Sequence, residues 1–584
     1  SFPINSQLFA GRLYCWHPII LPCYTVNHNM SENFLRKGFN ILSSRQTNIL
    51  TAAFVIMATV VLSQVLGLLR TRLLFSIFGP SNTLGVYNYA SILPDTIFQL
   101  TIAAALTSAF IPVFSEYLSK GEEKDAHKVA STLLTAGLGI FASASLILVI
   151  FAPQILSIFN GGGNFSAQDM NLMTNLMRII IIGQLIYVIG AFFSAMLQSY
   201  NHFFIPGIAA AFYNVGIILG ILMFHKYFGI YAVPFGVILG AIIFVVFQIP
   251  LAKKVGFSFI PTINFLKSKG LAKILMLTWP RTIQVGIQQV GTIILAAIIA
   301  FMVEPGRTHL LFDSAKTLMF APVSLIGFSI AQAAFPILSR EKNNLHDFKI
   351  TFMTSFNQML YLILPISALI LVLRIPIVRL AYGADKFDWL ATVLTGHILA
   401  YLSLSIFAQG LIVLFYRAFY ALHNSLIPLI ISGLSTFLLI ILGYYFVIIR
   451  GMNIESIAFA FTLANIVQLI ILLIVLNKKV DGFPKRLLFF SPLKIFLATF
   501  FTGFALYIPV KLLDQLVFDT TRTINLIALT GISSFIGLSF YLFLTWLFNV
   551  KEAVAFLLIF RRIGNWREIL GKRDEVVDVT RINP

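Results

Sequence analysis

The feature that most constrains the fold of this chain is a succession of apolar runs separated by short polar loops. Each run has about 20 residues or more, which is enough to cross the hydrocarbon core of a bilayer as one α-helix. The runs give spans near residues 48–78, 84–118, 128–156, 171–199, 203–224, 229–252, 275–302, 310–339, 348–376, 390–420, 425–447, 453–476, 489–510 and 523–548. The sequence therefore predicts an all-α polytopic membrane protein with about 14 transmembrane helices.

The composition excludes an ordinary soluble protein. Hydrophobic residues make up 58% of the 584 positions and charged residues only 11%, whereas soluble domains carry roughly 25% charged residues. The net charge of +19 does not indicate nucleic-acid binding, because the basic residues lie in short loops between spans. Cys15 and Cys23 precede the first span, and no nucleotide-binding, hydrolase or zinc motif occurs. We therefore expect no cofactor, no metal site and no enzymatic activity.

The distribution of Lys and Arg sets the predicted orientation. The loops after the even-numbered spans are the basic ones, and the loop after the sixth span carries Lys253, Lys254, Lys267, Lys269 and Lys273. Cytoplasmic loops carry such an excess, so both termini are predicted to be cytoplasmic. Residues 1–29 are expected to precede the native start at Met30.

Two sequence matches at nearly the same spacing indicate an internal duplication. SAFIPVFSEY and AAFPILSRE align Pro112 with Pro336, and SYNHFFIP and ALHNSLIP align Pro206 with Pro428. The sequence therefore predicts two six-helix lobes that rock against each other, as in transporters with parallel repeats. The predicted parts are an extension and cytoplasmic lead (1–44), the N-lobe (45–254), a cytoplasmic linker (255–274), the C-lobe (275–479), two C-terminal helices (480–550) and a cytoplasmic tail (551–584).

Cations inside the apolar spans are the first candidates for a binding site, because each costs about 2.5 to 3.5 kcal/mol at the bilayer centre by insertion scales. Arg70 and Arg72 lie deep in the first span, and Arg281 lies in the seventh, at what we take from the sequence to be the equivalent place. Arg70 and Arg72 project about 200° apart around a helix, so only one can face a given cavity. The alternative is that both extend to the membrane surface along a span longer than the bilayer.

Other polar side chains repeat at about one helical turn within the spans. The pairs are Asp95 with Gln99, Asp313 with Lys316, and Gln284 with Gln288. Lys316 is predicted to line a cavity, with pairing to Asp313 or a place at the end of the span as alternatives. Gln288 is predicted to form hydrogen bonds within a cavity. The alternative is that its amide forms a hydrogen bond to a neighbouring helix. Structural roles are favoured for Arg178, Arg374, His397 and Arg417. Arg178 is predicted to line a cavity or to pack between helices, Arg374 to extend to the membrane surface, and His397 to be hydrogen-bonded locally rather than to relay protons.

Four segments, SQVLGLLRTRLLFSIFG, SAFIPVFSEY, FPILSR and YRAFYALHNSLIP, resemble the MurJ/MviN lipid II flippases of the multidrug/oligosaccharidyl-lipid/polysaccharide exporter superfamily. The resemblance runs from about residue 45 to about residue 550, and its last segment is the most specific. It implies fourteen spans with cytoplasmic termini in a bacterial inner membrane. It also implies that the last two spans form a groove for a lipid tail, and the alternative is that they only pack against the bundle.

The resemblance carries over site residues only in part. Arginines in the first, second and eighth helices of the family are thought to meet the pyrophosphate of the substrate, and among them only Arg70 is matched. Gln64 replaces an Arg six residues earlier, Gln99 stands at the second-helix position, and Thr317, next to Lys316, stands at the eighth-helix position. Because of these departures, the resemblance specifies the fold more closely than the identity of the substrate.

The hypothesis from the sequence is a flippase that moves lipid II, an undecaprenyl-diphosphate-linked sugar, to the outer leaflet by alternating access. Arg70, Arg281 and Lys316 are predicted to bind the pyrophosphate in one central cavity, since Arg donates hydrogen bonds to phosphate in pairs. The further predicted site residues are Gln64, Arg72, Asp95, Gln99 and Gln288.

The expected partners are membrane lipids and cell-wall synthesis proteins, and the protein is expected to be a monomer driven by the membrane potential. Three alternatives stay open. They are export of another lipid-linked oligosaccharide, drug or cation antiport, and a non-transporting role as a scaffold for cell-wall assembly.

Overall fold

The computed structural model describes residues 49–261, 269–516 and 522–553, and every regular element in those ranges is a helix. The N-lobe consists of α1 (Ile49–Phe78), α2 (Asn82–Phe98), α3 (Ile111–Ser119), α4 (Glu123–Ile150), α5 (Ala152–Asn160), α6 (Ala167–Ser199), α7 (Phe204–Phe228) and α8 (Ala232–Lys254). The C-lobe consists of α9 (Lys269–Ile299), α10 (Pro305–Pro322), α11 (Phe328–Arg340), α12 (Leu345–Val372), α13 (Arg374–Tyr382), α14 (Trp389–Ser403), α15 (Ile406–Ala421), α16 (Leu426–Tyr444) and α17 (Glu455–Lys479). Two further helices are α18 (Ser491–Leu516) and α19 (Thr523–Leu547).

The predicted all-α membrane fold is confirmed. Within the described ranges, eleven continuous helical stretches are long and apolar enough to span a bilayer, and a twelfth span results if the bent pair α14 and α15 is counted as one. One of the eleven, Phe204–Lys254, contains both α7 and α8. The count of 14 stays a prediction. The extension at residues 1–44, the tail from residue 554 and linker residues 262–268 lie outside the described residues.

The internal repeat is confirmed by the helix bounds. The helices α4 and α12 begin and end at the spacing that separates Pro206 from Pro428, and so do the short helices α5 and α13. The long helix α6 is related by the same spacing to the pair α14 and α15. The helix α1 ends at Phe78 and α9 ends at Ile299, and the spacing between these two ends is one residue shorter than the spacing from Pro206 to Pro428. When these two ends are aligned, the second-lobe equivalent of Arg70 is Gly291, so the sequence-based equivalence of Arg70 with Arg281 is corrected.

The second helical stretch of each lobe contains a π-helical turn at equivalent positions. Gln99–Ala103 follows α2, and Val323–Gly327 follows α10, at the spacing that separates Pro112 from Pro336. A π-turn holds one more residue than an α-turn, so residues beyond it face a different direction from the one that a regular helical period predicts. The N-lobe stretch has a second such turn, Leu106–Phe110, before it continues as α3.

Three of the predicted spans are broken where the sequence suggested continuous helices. The span predicted at 348–376 ends at Val372, and α13 begins at Arg374 after a break at Leu373. The span predicted at 390–420 bends by 44° between α14 and α15. The span predicted at 128–156 ends at Ile150, and α5 begins at Ala152 after a break at Phe151, with Pro153 in its first turn. Proline is tolerated there because the first turn of a helix needs no N–H donor for an internal bond.

We call the membrane face at which α1 begins the near face and the opposite one the far face. At the far face the two lobes are joined by hydrogen bonds. The Tyr89 hydroxyl donates to the carbonyl of Ala296 at 3.0 Å, and the backbone N–H of Asn164 donates to the carbonyl of Ala300 at 2.7 Å. Because these bonds join α2 and the segment after α5 to the end of α9, they hold the far face closed.

At the far face, the lobes approach each other closely at a pair of glycines. A Cβ on Gly85 of α2 would lie 2.0 Å from the carbonyl carbon of Gly306 in α10. The backbone N–H of Gly306 donates to Oδ1 of Asn82 at 2.9 Å. Only glycine permits two backbones to approach this closely, so the far-face contact depends on both residues having no side chain.

At the near face, the first part of α9 packs on the N-lobe. Ile274 is fully buried there and belongs to the same apolar cluster as Ile102 and Leu106 of the N-lobe. The rest of α9 turns to the C-lobe, where it packs on α16. A single helix thus contacts both lobes.

Candidate functional site

Two polar cavities lie inside the apolar helical bundle. The N-lobe cavity has a volume of about 750 Å³, and the C-lobe cavity has a volume of about 980 Å³. The helix α10 contributes to both. Asp313 and Thr317, one turn apart, line the N-lobe cavity, whereas Lys316 and Phe320 line the C-lobe cavity.

The N-lobe cavity carries charges of both signs. Arg70 from α1, Asp95 from α2 and Asp313 from α10 all line it. The amide of Gln184 in α6 donates a hydrogen bond to Asp95, and its oxygen, Oε1, is buried with no hydrogen-bond partner among the residues that the structure describes. Asp95 is exposed to the cavity. One guanidinium group therefore shares this space with two carboxylates.

The remaining N-lobe candidates are placed as follows. Gln64 lines the N-lobe cavity and is exposed to it. Arg72 points to the lobe contact, where its Nη1 donates to the carbonyl of Leu380 at 3.2 Å. Gln99 begins the first π-turn, is half-buried and lines neither cavity. The structure thus separates Arg70 from Arg72, and Asp95 from Gln99.

In the C-lobe cavity, Arg281 is held by a buried amide. Its Nη1 donates to Oε1 of Gln284 at 2.9 Å, and the same oxygen accepts a bond from the Tyr420 hydroxyl at 3.1 Å. Gln284 is only 6% exposed, whereas Arg281 is exposed to the cavity. The buried amide therefore fixes one edge of the guanidinium group and leaves its other donors directed into the cavity.

Two further cations line the same cavity. Lys316 is half-buried, and its Nζ lies 6.0 Å from the ring centre of Phe461. Arg417 of α15 is half-buried, and its guanidinium carbon lies 5.4 Å from the ring centre of Phe335. Among the described residues neither cation has a carboxylate within salt-bridge distance, so the pairing of Lys316 with Asp313 that the sequence left open does not occur in this structure.

Amides and phenols complete the C-lobe cavity. Gln409 donates to Oδ1 of Asn465 at 2.7 Å, and Gln468 donates to the Tyr416 hydroxyl at 2.6 Å. All four side chains line the cavity, and Gln288 is exposed to it. These groups offer neutral donors and acceptors around the three cations.

The structure therefore divides the three predicted pyrophosphate ligands between two cavities. Arg70 is in the N-lobe cavity, and Arg281 and Lys316 are in the C-lobe cavity. Sequence reasoning had placed them in one central space. The division arises because Arg281 lies almost three helical turns before Gly291, the true equivalent of Arg70, and because α10 presents different faces to the two cavities.

Some cavity residues were missed at the level of sequence. Arg417 was assigned a structural role, and Gln184, Gln409 and Gln468 were not singled out. The available signal was the presence of amides and a cation in strongly apolar helices, where such groups usually face a cavity or a neighbouring helix. In the three described ranges, no three His, Cys, Asp or Glu side chains come together in a way that could hold a metal ion.

Comparison with known proteins points to one family. The family model described as lipid II flippase MurJ matches residues 74–524. A probable lipid II flippase MurJ of Buchnera aphidicola subsp. Schizaphis graminum is 25% identical over 506 residues, which cover 84% of this chain and 97% of the relative. A protein of the same description from Borreliella burgdorferi is 23% identical over 435 residues, covering 73% of this chain and 83% of the relative.

Solved structures share the fold. A lipid II flippase MurJ in an inward closed conformation superimposes with a TM-score of 0.69 at 22% identity, covering 85% of this chain and 98% of the other. An inward-facing multidrug resistance transporter of the MATE family, in the MOP superfamily, superimposes with a TM-score of 0.61 at 13% identity, covering 73% of this chain and 98% of the other. At these identities, the likeness extends to the arrangement of the helices alone.

Proposed function

Because this chain belongs to the lipid II flippase MurJ family, we propose that it moves a lipid-linked diphosphate, lipid II, from the cytoplasmic to the outer leaflet of a bacterial inner membrane. The family comprises transporters rather than enzymes, and the helical bundle is that of a multi-pass membrane protein. The observation that carries the proposal is the pair of polar, cation-bearing cavities inside this bundle.

A flippase of this kind must replace the water around a diphosphate while the lipid tail stays in the bilayer. The cations Arg70, Arg281 and Lys316 supply opposite charge at the depth where water is scarce. Guanidinium groups suit the task because their planar donors pair with phosphate oxygens. The headgroup contacts cations of both lobes during its passage.

The outer faces of α18 and α19 are apolar and suit contact with the lipid tail. Exposed rings and aliphatic side chains cover both helices, among them Phe500, Phe504, Tyr507, Ile527 and Phe535. The helix α18 packs on α12 of the C-lobe and on α19. In the proposed transport cycle, the tail lies along these two helices while the headgroup is in the interior.

Alternating access requires the far-face contact to open. In this structure it is closed by Tyr89, Asn164 and the glycine pair Gly85 and Gly306. The proposed orientation puts the near face in the cytoplasm, because the basic loops between spans lie there. The substrate then enters from the near face and leaves when the lobes rock apart at the far face.

A second candidate is the transport of another lipid-linked oligosaccharide. It is favoured by the glutamines Gln64 and Gln99 and by Thr317, which stand where the resemblance leads us to expect arginines. The two candidate substrates share the diphosphate and differ in the sugar, so a flipping assay with both lipids separates them.

The test is lipid translocation by the full chain in liposomes. A fluorescent lipid II analogue is added, and the dye in the outer leaflet is reduced chemically with and without an imposed membrane potential. We expect the native chain to translocate the lipid, and Arg70→Ala and Arg281→Ala each to lower the rate at least tenfold. Arg178→Ala is the matched control, because Arg178 is exposed and donates its Nε to the carbonyl of Val149, away from both cavities.

Three outcomes would argue against the proposal. If the native chain moves no lipid II under any potential but moves another polyprenyl-diphosphate sugar, the second candidate replaces the first. If it moves neither lipid but exchanges a cationic drug for protons, the protein is an antiporter. If it transports nothing, a scaffold role replaces transport.

A further inference from the structure

We infer that the C-lobe cavity is the site where the diphosphate headgroup rests when the far face is closed, and that Arg417 binds it together with Arg281 and Lys316. This inference rests on the proposed function, because it takes a lipid diphosphate as the substrate. It adds a binding residue that the sequence did not indicate, and it assigns different roles to the two cavities.

The charges of the two cavity linings are opposite. The C-lobe cavity is lined by three cations, Arg281, Lys316 and Arg417, and by no carboxylate of the described residues. The N-lobe cavity is lined by Arg70 and by the carboxylates Asp95 and Asp313. With every group ionised, the first lining has an excess of three positive charges and the second an excess of one negative charge. A diphosphate is therefore attracted to the C-lobe cavity and repelled by the acidic groups of the N-lobe cavity.

The arrangement of Arg281 fits an anion that is not part of the protein. Gln284, a neutral residue, accepts one of its hydrogen bonds, and the Tyr420 hydroxyl holds the same amide oxygen. The guanidinium group is thus oriented without being neutralised. Such an orientation lowers the entropy that is lost when a phosphate binds, which is the usual benefit of a preformed site.

Arg417 contributes in the same way. Its guanidinium group faces the ring of Phe335, and no carboxylate of the described residues lies within salt-bridge distance of it. Arg281 and Arg417 line the same cavity, so their positive charges repel each other there. Like charges inside an apolar bundle raise the free energy of the empty site, and a bound polyanion relieves that cost.

The neutral lining suits the sugar part of the headgroup. Six amides and two phenols line the cavity beside the cations, among them Gln288, Gln289 and Tyr416. Amides and phenols both donate to and accept from hydroxyl groups. With a volume of about 980 Å³, the cavity has room for a diphosphate and the sugar next to it.

Equilibrium binding tests the inference. The full chain is purified in detergent, and the binding of radiolabelled undecaprenyl diphosphate is measured with the native chain and with single variants. We expect Arg281→Ala and Arg417→Ala each to raise the Kd about tenfold or more, because each removes charge-assisted hydrogen bonds to phosphate. Arg70→Ala is expected to leave the Kd within about threefold while it lowers translocation.

A second variant adds a counter-charge without removing a cation. Gln288→Glu changes one atom of a side chain exposed to the C-lobe cavity, so the fold is expected to persist. It should raise the Kd about tenfold, and Gln64→Glu in the N-lobe cavity should change it little. Thermal unfolding of each variant in detergent identifies any that fail to fold.

The binding experiments distinguish failure of this inference from failure of the proposed function. If Arg70→Ala weakens binding and Arg281→Ala and Arg417→Ala do not, the headgroup rests in the N-lobe cavity, and the inference is overturned while the flippase function stands. If phosphatidylglycerol competes equally with undecaprenyl diphosphate, the cavity binds phospholipid headgroups generally, and the inference is overturned. If the native chain neither binds a polyprenyl diphosphate nor moves one, the proposed function fails as well.

Discussion

The far-face contact depends on two glycines, so a single added methyl group should open it. In Gly85→Ala the new Cβ would lie 2.0 Å from both the carbonyl carbon and the carbonyl oxygen of Gly306. Neither atom belongs to a side chain that could rotate away. The helices α2 and α10 must therefore move apart until the distance reaches at least 3.4 Å, which is a displacement of about 1.5 Å.

The cost of that displacement can be worked out from the bonds it breaks. The bond from the N–H of Gly306 to Asn82 is 2.9 Å long and would not survive it. A lost hydrogen bond costs about 1 kcal/mol, and overpacking costs about 1 to 3 kcal/mol. The closed state should thus lose about 2 to 4 kcal/mol relative to a far-face-open state, which shifts the ratio of the two states roughly 30-fold or more.

Distances between spin labels report this ratio. We would label Tyr227→Cys and Ile449→Cys, which lie at the far ends of equivalent helices and are 82% and 61% exposed. Cys15 and Cys23 are first replaced by serine, since they are the chain's two cysteines. In Gly85→Ala the distance distribution should shift to longer values, and translocation should slow because the near-face-accessible state is depleted.

A matched control uses a glycine in open space. A Cβ on Gly139, inside α4, meets no atom within 4 Å. Gly139→Ala should leave the label distances unchanged and stabilise α4 by about 0.5 to 1 kcal/mol. If Gly85→Ala gave the same distances and the same translocation rate as Gly139→Ala, the far-face contact would not control access, and the reasoning would be refuted.

Three smaller perturbations follow from the same contacts. Tyr89→Phe removes one far-face hydrogen bond to Ala296. It should lower the stability of the closed state by about 1 kcal/mol and shift the label distances in the same direction as Gly85→Ala, but less. Gln248→Leu removes a fully buried amide that bonds neighbouring backbone carbonyls, and it should destabilise the protein by about 1 to 3 kcal/mol, seen as a lower melting temperature in detergent. Gly220→Ala puts a Cβ 2.3 Å from the Cα of Gly236 and should lower the melting temperature, whereas unchanged melting would show that α7 and α8 can separate freely.

Much of the fold could be predicted from the sequence because the bilayer imposes a minimum length on every apolar span. The end of α1 at Phe78, for example, follows from the polar loop GPSNT that comes next. The repeat could be predicted because two proline anchors fix the spacing of the lobes. These features depend on local chemistry and on chain length, which are both visible in one sequence.

The cavity that each helix face points to could not be predicted from the sequence in the same way. Asp313 and Lys316 are about one helical turn apart and were expected to share a surface, yet α10 turns them to different cavities. Which side a residue faces depends on how the helix packs between its neighbours. In addition, the π-turn that begins at Gln99 changes the angular period on which such reasoning depends.

The repeat explains why the two cavities are lined from equivalent positions although their charges are opposite. When the ends of α1 and α9 are aligned, Val60 is the first-lobe equivalent of Arg281, and Gly291 is the second-lobe equivalent of Arg70. Val60 lines the N-lobe cavity, and Gly291 lines the C-lobe cavity. The duplicated backbone thus preserves cavity-lining positions in both lobes, while the residues at those positions have diverged in charge.

That divergence gives the headgroup a preferred resting place within the proposed transport cycle. If both cavities carried the same charge, a diphosphate headgroup would gain nothing by resting in one lobe rather than the other. Here three cations favour the C-lobe cavity, and Asp95 and Asp313 disfavour the N-lobe cavity. In the proposed cycle, we therefore expect release of the headgroup from the C-lobe cavity to be coupled to the opening of the far face, for which the Gly85 and Gly306 contact must separate.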